Sequence, residues 1–147
     1  MKHYVVLDTN VIVSAMLKGD SIPGIVVMLA LDGQLIPLVS DIILEEYREV
    51  LSRSKFGLNK SAVLTLISEL EKRALFPERM EIDEIFPDPD DAVFYEVTMS
   101  ARTTVPAFLV TVNKKHFPTK TFVVTPREML DILEREEGEL SIKDNKK

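Results

Sequence analysis

Four places along the 147-residue sequence put oxygen-bearing side chains where a strand is expected to end or a helix to begin. They are Asp8, the pair Glu45 and Glu46, the acidic residues within 88–91, and Asn113. In a parallel sheet the carboxyl ends of the strands share one edge, so these distant residues could meet in one pocket. Oxygen ligands without His or Cys favour Mg2+ or Mn2+, which typically retain water molecules that serve in hydrolysis. The pattern therefore indicates a metal-dependent hydrolytic site.

The first of these residues, Asp8, separates two apolar runs near the amino terminus. Residues 3–7 are typical of a buried strand, and the run after Asn10 is typical of a helix packed back onto the sheet. Asp8 would then lie at the carboxyl end of the strand, where open α/β sheets bind ligands. The alternative is that Asp8, Thr9 or Asn10 simply caps the helix. Both interpretations stay open, and both can hold.

Helical spacing distinguishes the two glutamates. Glu45 shares an all-polar face with Arg48, which strongly favours a solvent-exposed position. Glu46 lies between Ile43 and Val50 at the border of the buried stripe, and a carboxylate half drawn into the fold needs a partner or a role. A surface position remains the alternative for Glu46.

The same reasoning does not choose between Asp90 and Asp91. Both fall in the first turn of an expected helix, where capping or the helix dipole explains an aspartate completely. Asn113 follows a buried strand, and by itself it is more typical of a turn than of a ligand.

The rest of the chain supplies the elements that would position these side chains. Strands and helices alternate, which predicts a mainly parallel central sheet with helices on both faces, a three-layer α/β sandwich. One domain over residues 1–133 and a charged, flexible tail over 134–147 are expected. Strands are predicted over 3–7, 35–40, 80–82, 107–111 and 121–124, and helices over 11–17, 21–33, 41–51, 60–74, 90–101 and 126–133.

Composition narrows the function further. The absence of cysteine excludes disulfides, thiolate metal sites and cysteine nucleophiles. A net charge of −6 argues against coating nucleic acid by bulk electrostatics but leaves local contact open. The five glycines form no phosphate-binding loop. No apolar run approaches the roughly 18 residues of a membrane span, and the start lacks the order of a signal peptide, so a cytoplasmic location without membrane contact is expected.

Five motifs occur along the chain in a recognisable order. Together they resemble the PIN-domain family, especially its branch of toxin components from toxin–antitoxin pairs, and the resemblance extends to about residue 133. The motifs are Val6-Leu7-Asp8-Thr9-Asn10; residues 40–51 with Glu46-Tyr47; Asp88-Pro89-Asp90-Asp91 with Phe94; Val110-Thr111-Val112-Asn113 with His116-Phe117-Pro118; and Val123-Val124-Thr125-Pro126-Arg127-Glu128.

The resemblance implies a ribonuclease directed at single-stranded RNA that depends on Mg2+ or Mn2+. It also implies an antitoxin protein as partner and a homodimer. The catalytic residues carried over are Asp8, Glu46, Asp91 and Asn113, with Thr9 or Asn10 as the supporting polar residue. Asp91 is selected over Asp90 because it stands three residues before Phe94, as in the family.

Specific roles follow from the resemblance. Asp8 and Asp91 would be the main ligands of one or two ions, Glu46 would bind a second ion or orient the attacking water, and Asn113 would hold a water ligand. Many members have Gly then Asp where this chain has Val112 and Asn113, so weaker metal binding is expected. The segment before Asn113 is also longer than usual, with residues 103–106 as the expected insertion.

Basic residues near these motifs are candidates for positioning phosphates. They are Arg53, Lys55, Lys114 and Lys115, although a solvated surface is the common alternative for each. His116 is assigned to the same basic rim, and a general-base role stays open.

Two other functions compete with hydrolysis. The fold could serve as a non-catalytic module that binds RNA or protein, a reading that the neutral Asn113 favours. A phosphotransfer receiver would use Lys114 after a later strand, but the Asp8-Thr9-Asn10 turn lacks the paired acid that such a domain needs.

Overall fold

The protein folds as an α/β sandwich around a four-stranded, all-parallel sheet with the order β2-β1-β3-β4. The structure is a computed structural model that describes residues 2–145, with side chains as far as residue 137. Six helices flank the sheet. The strands are β1 (His3–Leu7), β2 (Leu35–Pro37), β3 (Ala107–Val110) and β4 (Val123–Val124); the helices are α1 (Thr9–Leu17), α2 (Ile22–Asp32), α3 (Asp41–Leu51), α4 (Lys60–Arg73), α5 (Pro89–Arg102) and α6 (Pro126–Asn145), with short 3-10 helices at Ser54–Phe56 and Lys114–His116.

The register of the two central strands sets the position of the site. Leu7 pairs with Val110, the last residue of each strand, so the next residues of both segments emerge side by side at the carboxyl edge. β1 and β3 lie between the two edge strands and consist of buried aliphatic residues for most of their length. Strands covered on both faces are expected to be mainly apolar, as these are apart from His3 and Tyr4 at the start of β1.

The helix boundaries follow local capping signals. The Ser40 hydroxyl accepts a hydrogen bond from the Ile43 amide at the start of α3, and Ser21 does the same for Gly24 at the start of α2. α2 ends at Gly33, whose φ of 92° lies in the left-handed region that favours glycine. These short-range interactions explain why the predicted bounds of α2, α3 and α4 agree with the structure to within a residue or two.

Pro37 lies in β2, which is an edge strand, so its missing amide proton removes no bond from a central ladder. The far side of β2 is covered by Leu75, two residues after the end of α4. The Leu75 amide donates to the Pro37 carbonyl oxygen at 3.0 Å, and the Val39 amide donates to the Leu75 carbonyl oxygen at 3.0 Å. A single residue therefore closes this edge of the sheet.

The strand predicted over residues 80–82 is wrong, because no strand forms there. This part of the chain is instead tied to α5 by side chains: Arg79 pairs with Glu96 at 3.1 Å, and the Tyr95 hydroxyl donates to Glu84 at 3.2 Å. Met80 and Ile82 are only partly buried and Glu81 between them is exposed, so the segment lies against the protein surface and does not join the sheet.

The last helix also differs from expectation. α6 continues to Asn145 and does not end near Leu133, because the Glu, Arg and Lys residues that dominate this stretch are good helix formers. Residues 146–147 and the side chains beyond 137 lie outside the described residues, and the division into a domain over 1–133 and a tail over 134–147 stays a prediction.

Within residues 2–145 no single helix is long and apolar enough to cross a membrane; α1 and α2 meet that criterion only as a pair, across a bend of 105°.

Candidate acidic active site

Asp8 lies at the junction of β1 and α1, at the carboxyl edge of the sheet. Its amide extends the strand pairing by donating to the Val110 carbonyl oxygen at 2.9 Å. Asp8 is the N-cap residue of α1 by backbone conformation, but its carboxylate makes no capping bond and is 5% exposed. Helix capping therefore accounts for the backbone conformation of Asp8, but it does not account for the burial of its carboxylate.

A buried hydroxyl orients the Asp8 carboxylate. Thr111 Oγ1 donates to Asp8 Oδ2 at 2.8 Å and accepts bonds from Asn10 Nδ2 at 3.4 Å and the Asn113 amide at 3.1 Å. Because two donors point at the oxygen, its single proton is directed to the carboxylate. Asn10 Oδ1 also accepts from the Val112 amide at 3.3 Å, which fixes the loop after β3.

Thr111 belongs to one of the five sequence motifs, but the sequence alone gives it no role. Its importance follows from the pairing of β1 with β3, which brings residues 8 and 111 together across about a hundred positions. The one indication of this role in the sequence is the position of Thr111 directly after an apolar strand.

Glu46 reaches the same edge from α3. It is half-buried, whereas the side chain of Glu45 is 75% exposed, as the helical spacing predicted. Thr9 Oγ1 donates to Glu46 Oε2 at 3.3 Å. The next residue, Tyr47, is buried and donates its hydroxyl to the Leu7 carbonyl oxygen at 2.6 Å, which fixes α3 against the end of β1.

Asp91 comes from the start of α5, where the capping role is already taken. Asp88 is the N-cap, and its Oδ1 accepts from the Asp90 amide at 3.0 Å. Asp90 is exposed, whereas the side chain of Asp91 is only 16% exposed and faces His116. The structure thus separates two aspartates that periodicity could not.

Asn113 and His116 complete the group. Asn113 Nδ2 lies 3.0 Å from His116 Nε2, and His116 Nδ1 lies 3.7 Å from Asp91 Oδ2. The sequence predicts that His116 belongs to a basic rim, whereas the structure brings it into contact with two of the four predicted catalytic residues. Its contact with Asp91 depends on how the loop after β3 approaches α5, which no local pattern reveals.

The carboxyl groups at this edge of the sheet are partly buried and repel one another. Burial raises the pKa of Asp8, and the hydrogen bond from Thr111 opposes that rise. Burial, followed by the charges of Asp8, Asp90 and Asp91, raises the pKa of Glu46 to about 7. Burial and the charge of Asp8 raise the pKa of Asp91 to about 6. Several carboxylates that repel in this way would be stabilised by a cation.

The donor atoms suit a hard divalent cation, since they are carboxylate, hydroxyl and amide oxygens. Among the described residues, however, no three His, Asp or Glu side chains are close enough together to hold a metal ion. The donor set fits Mg2+ or Mn2+ in its chemistry, with water molecules needed to complete the coordination.

The proposed phosphate-binding residues lie at the surface in different settings. Arg53 donates to Glu49 at 3.2 and 2.8 Å, and Lys114 pairs with Glu128 at 2.9 Å. Lys55 lies 5.1 Å from the centre of the Phe56 ring, and Lys115 is exposed. Of these four, Arg53 lines a groove of about 600 Å³ that also includes Glu46 and Asp90.

The fold and site define a class: an α/β protein with a parallel sheet and an acidic pocket at its carboxyl edge. The PIN domain family matches residues 4–115, and the chain belongs to that family. The matched span includes the four predicted catalytic residues and ends before β4 and α6. Proteins of this family are generally nucleases and typically use divalent metal ions, so a nuclease-type function is indicated. A search among curated proteins found no match to this sequence.

Proposed function

We propose that this protein is a metal-dependent endoribonuclease that hydrolyses phosphodiester bonds in RNA. The observation that carries the proposal is that Asp8, Glu46 and Asp91 lie close enough at the carboxyl edge of the sheet for their charges to interact. Burial first, and the charge of Asp8 in addition, raise the pKa of both Glu46 and Asp91. Such repulsion costs stability in the protein alone, and groups held in this way are frequent at functional sites. The choice of RNA as the substrate rests on the resemblance to the toxin branch of the family.

The residues of the site would have different roles. Asp8, oriented by Thr111, and Asp91, on the first turn of α5, would be the principal metal ligands. Glu46 would bind a second ion or orient the attacking water. Asn113 would hold a water molecule by hydrogen bonding, since an amide adds no negative charge to the site.

A bound Mg2+ or Mn2+ would lower the pKa of the attacking water and stabilise the charge that builds on the phosphate. Arg53, Lys55, Lys114 and Lys115 are the proposed contacts to the RNA backbone, and they would position the strand without reading its sequence.

We further propose that the protein is the toxin of a toxin–antitoxin pair, works in the cytoplasm, forms a homodimer and is inhibited by a small antitoxin protein. A small adjacent gene whose product co-purifies with this chain and suppresses cleavage would support the pairing. Light scattering of the purified protein would give the oligomeric state.

The direct test compares cleavage of labelled single-stranded RNA by the wild type and by Asp8→Asn with Mn2+. Asp8→Asn should lose nearly all activity while remaining folded, because an asparagine still accepts the Thr111 hydrogen bond. Asp20→Asn, an exposed aspartate before α2, is the matched control and should cleave normally. Cleavage that persists in chelator, or that Asp8→Asn leaves unchanged, would contradict the proposal.

The second candidate is a non-catalytic module that binds RNA or protein. It is favoured by the neutral Asn113 and by the lack of a ready-made cluster of three metal-binding side chains in the part of the chain that the structure describes. Thermal unfolding with added Mn2+ discriminates between the two, because a ligand bound only by the folded state raises the Tm. No shift at millimolar Mn2+ would favour the binding module.

A further inference from the structure

His116 lies between the two elements that carry Asp91 and Asn113. Its Nδ1 is 3.7 Å from Asp91 Oδ2 at the start of α5, and its Nε2 is 3.0 Å from Asn113 Nδ2 in the loop after β3. The ring is half-exposed, with 50% of the side chain accessible, so filling space in the core does not explain why a histidine occupies this position. The roles proposed above for the four predicted catalytic residues leave His116 without a task.

The hydrogen bonds around Asn113 determine where the proton of a neutral His116 ring must be. The Lys115 amide donates to Asn113 Oδ1 at 3.3 Å, so the amide nitrogen of Asn113 is the atom that faces the ring. That nitrogen can only donate, and His116 Nε2 must therefore accept. The proton of the neutral ring is then on Nδ1, which is the atom directed at Asp91.

Aromatic packing holds the His116 loop against α5. Phe117, which is 6% exposed, packs edge-on against Phe86 with ring centres 6.1 Å apart. Phe86 in turn packs against Tyr95 of α5 at 5.6 Å. Two of these rings are buried, so the residue next to His116 is attached to the helix that begins with Asp91.

We propose that His116 is a positioning residue for the site, in which Nδ1–H orients the Asp91 carboxylate while Nε2 holds the Asn113 amide. A closer approach of about 0.7 Å would turn the Asp91 contact into a direct hydrogen bond. The inference rests on the proposed nuclease function for its kinetic consequence and on the geometry alone for the position of the proton. Partners that orient metal-binding carboxylates typically contribute roughly 10–100-fold to activity.

The first test reads the ring tautomer by 15N NMR at a pH where His116 is neutral. We expect the Nδ1–H form in the wild type and a return to the Nε2–H form, which free histidine prefers, in Asn113→Ala. A wild-type ring in the Nε2–H form would overturn the inference. This measurement needs neither metal nor substrate, so it stands even if no RNA is cleaved.

The second test compares three substitutions at residue 116. The amide nitrogen of His116→Asn occupies the place of Nδ1 and can still donate to Asp91, whereas that of His116→Gln occupies the place of Nε2. We expect kcat to fall roughly 10–100-fold in His116→Ala and in His116→Gln, and to recover partly in His116→Asn. Lys120→Ala, an exposed change in the following loop, should leave kcat unchanged.

The outcomes separate the two proposals. Three outcomes would each overturn the positioning role. They are a wild-type kcat in all three variants, a better rescue by Gln than by Asn, and equal losses in all three. Losses that follow a fall in Tm would overturn it as well, because they would reflect folding alone. An inactive wild type whose ring is nevertheless in the Nδ1–H form would contradict the proposed nuclease function and leave the geometry of His116 supported.

Discussion

Thr111 donates its hydroxyl proton to Asp8 across the paired ends of β1 and β3, with 2.8 Å between the two oxygens. The bond orients the carboxylate before any ligand arrives, and the same hydroxyl receives bonds from Asn10 and from the Asn113 amide. One buried oxygen thus connects three of the positions that carry the proposed chemistry.

Thr111→Val should lower the free energy of unfolding by about 1–3 kcal/mol, because it removes the hydroxyl and leaves buried polar groups without a partner. It should also reduce cleavage, since the Asp8 carboxylate loses its fixed orientation. Urea unfolding and RNA cleavage measure the two effects. Thr111→Ser keeps the hydroxyl and is the control; equal activity in the Val and Ser variants would contradict the orienting role.

Tyr47→Phe removes the bond between the buried hydroxyl and the Leu7 carbonyl oxygen, which joins α3 to the end of β1. We expect a loss of about 1–2 kcal/mol in the free energy of unfolding, measured by urea titration. Tyr95→Phe is a matched control, because its hydroxyl bonds to Glu84 at the protein surface and should contribute less. A larger loss in Tyr95→Phe than in Tyr47→Phe would show that the Leu7 bond contributes little.

The raised pKa of Glu46 makes the metal-free protein less stable as the pH rises. The unfolded chain releases this proton near the ordinary value of 4.5, whereas the folded protein holds it until about pH 7. Across that interval the folded state binds more protons, so the free energy of unfolding falls with increasing pH. The stabilisation is complete below pH 4.5 and lost above pH 7, and Asp91 contributes similarly between 3.8 and about 6.

Scanning calorimetry in chelator should therefore show the Tm falling by several °C between pH 5 and 7.5, after allowance for the partial solvent exposure of Glu46. Glu46→Gln removes this titrating group and should make the profile shallower, most clearly above pH 6, where Asp91 no longer contributes. Glu45→Gln changes an exposed neighbour and should leave the slope as it is. An identical slope in the wild type and in Glu46→Gln would contradict the shifted pKa.

Added Mn2+ should raise the Tm more at pH 7.5 than at pH 5, because the carboxylates must lose their protons before they bind a cation. The shift should shrink in Asp91→Asn and persist in Asp20→Asn. Thermal unfolding at both pH values, with and without millimolar Mn2+, gives the comparison. A shift that is equal at both pH values would indicate binding away from these carboxylates.

The parts of the fold that depend on nearby residues could be predicted from the sequence. The bounds of α2 and α3 and the apolar strands follow from local signals, and the structure agrees with them: Ser21 and Ser40 cap the two helices, and Gly33 follows the last residue of α2. The strand expected at residues 80–82 failed because its short apolar pattern said nothing about the contacts that hold this segment to α5. The predicted end of α6 was wrong because a highly charged stretch was expected to be flexible. Glu, Arg and Lys are nevertheless good helix formers, so the helix continues through it.

The parts of the site that depend on nearby residues were also predictable. The half-buried position of Glu46 follows from helical spacing, and the structure agrees. The bond between Thr111 and Asp8, and the approach of His116 to Asp91, depend on strand register and loop packing. Those are set by contacts between residues far apart along the chain, which periodicity does not describe.

The pairing of β1 with β3 also determines when the pocket can exist during synthesis. A growing chain that has not yet produced Ala107–Val110 contains Asp8, Glu46 and Asp91, but it lacks the strand that places Thr111 and Asn113 beside them. The acidic edge can therefore be completed only after the residues as far as Asn113 have left the ribosome. Chains that terminate between Asp91 and β3 would carry the three acidic residues without the assembled site, so the cell that makes this protein meets the finished site only on molecules that already contain β3.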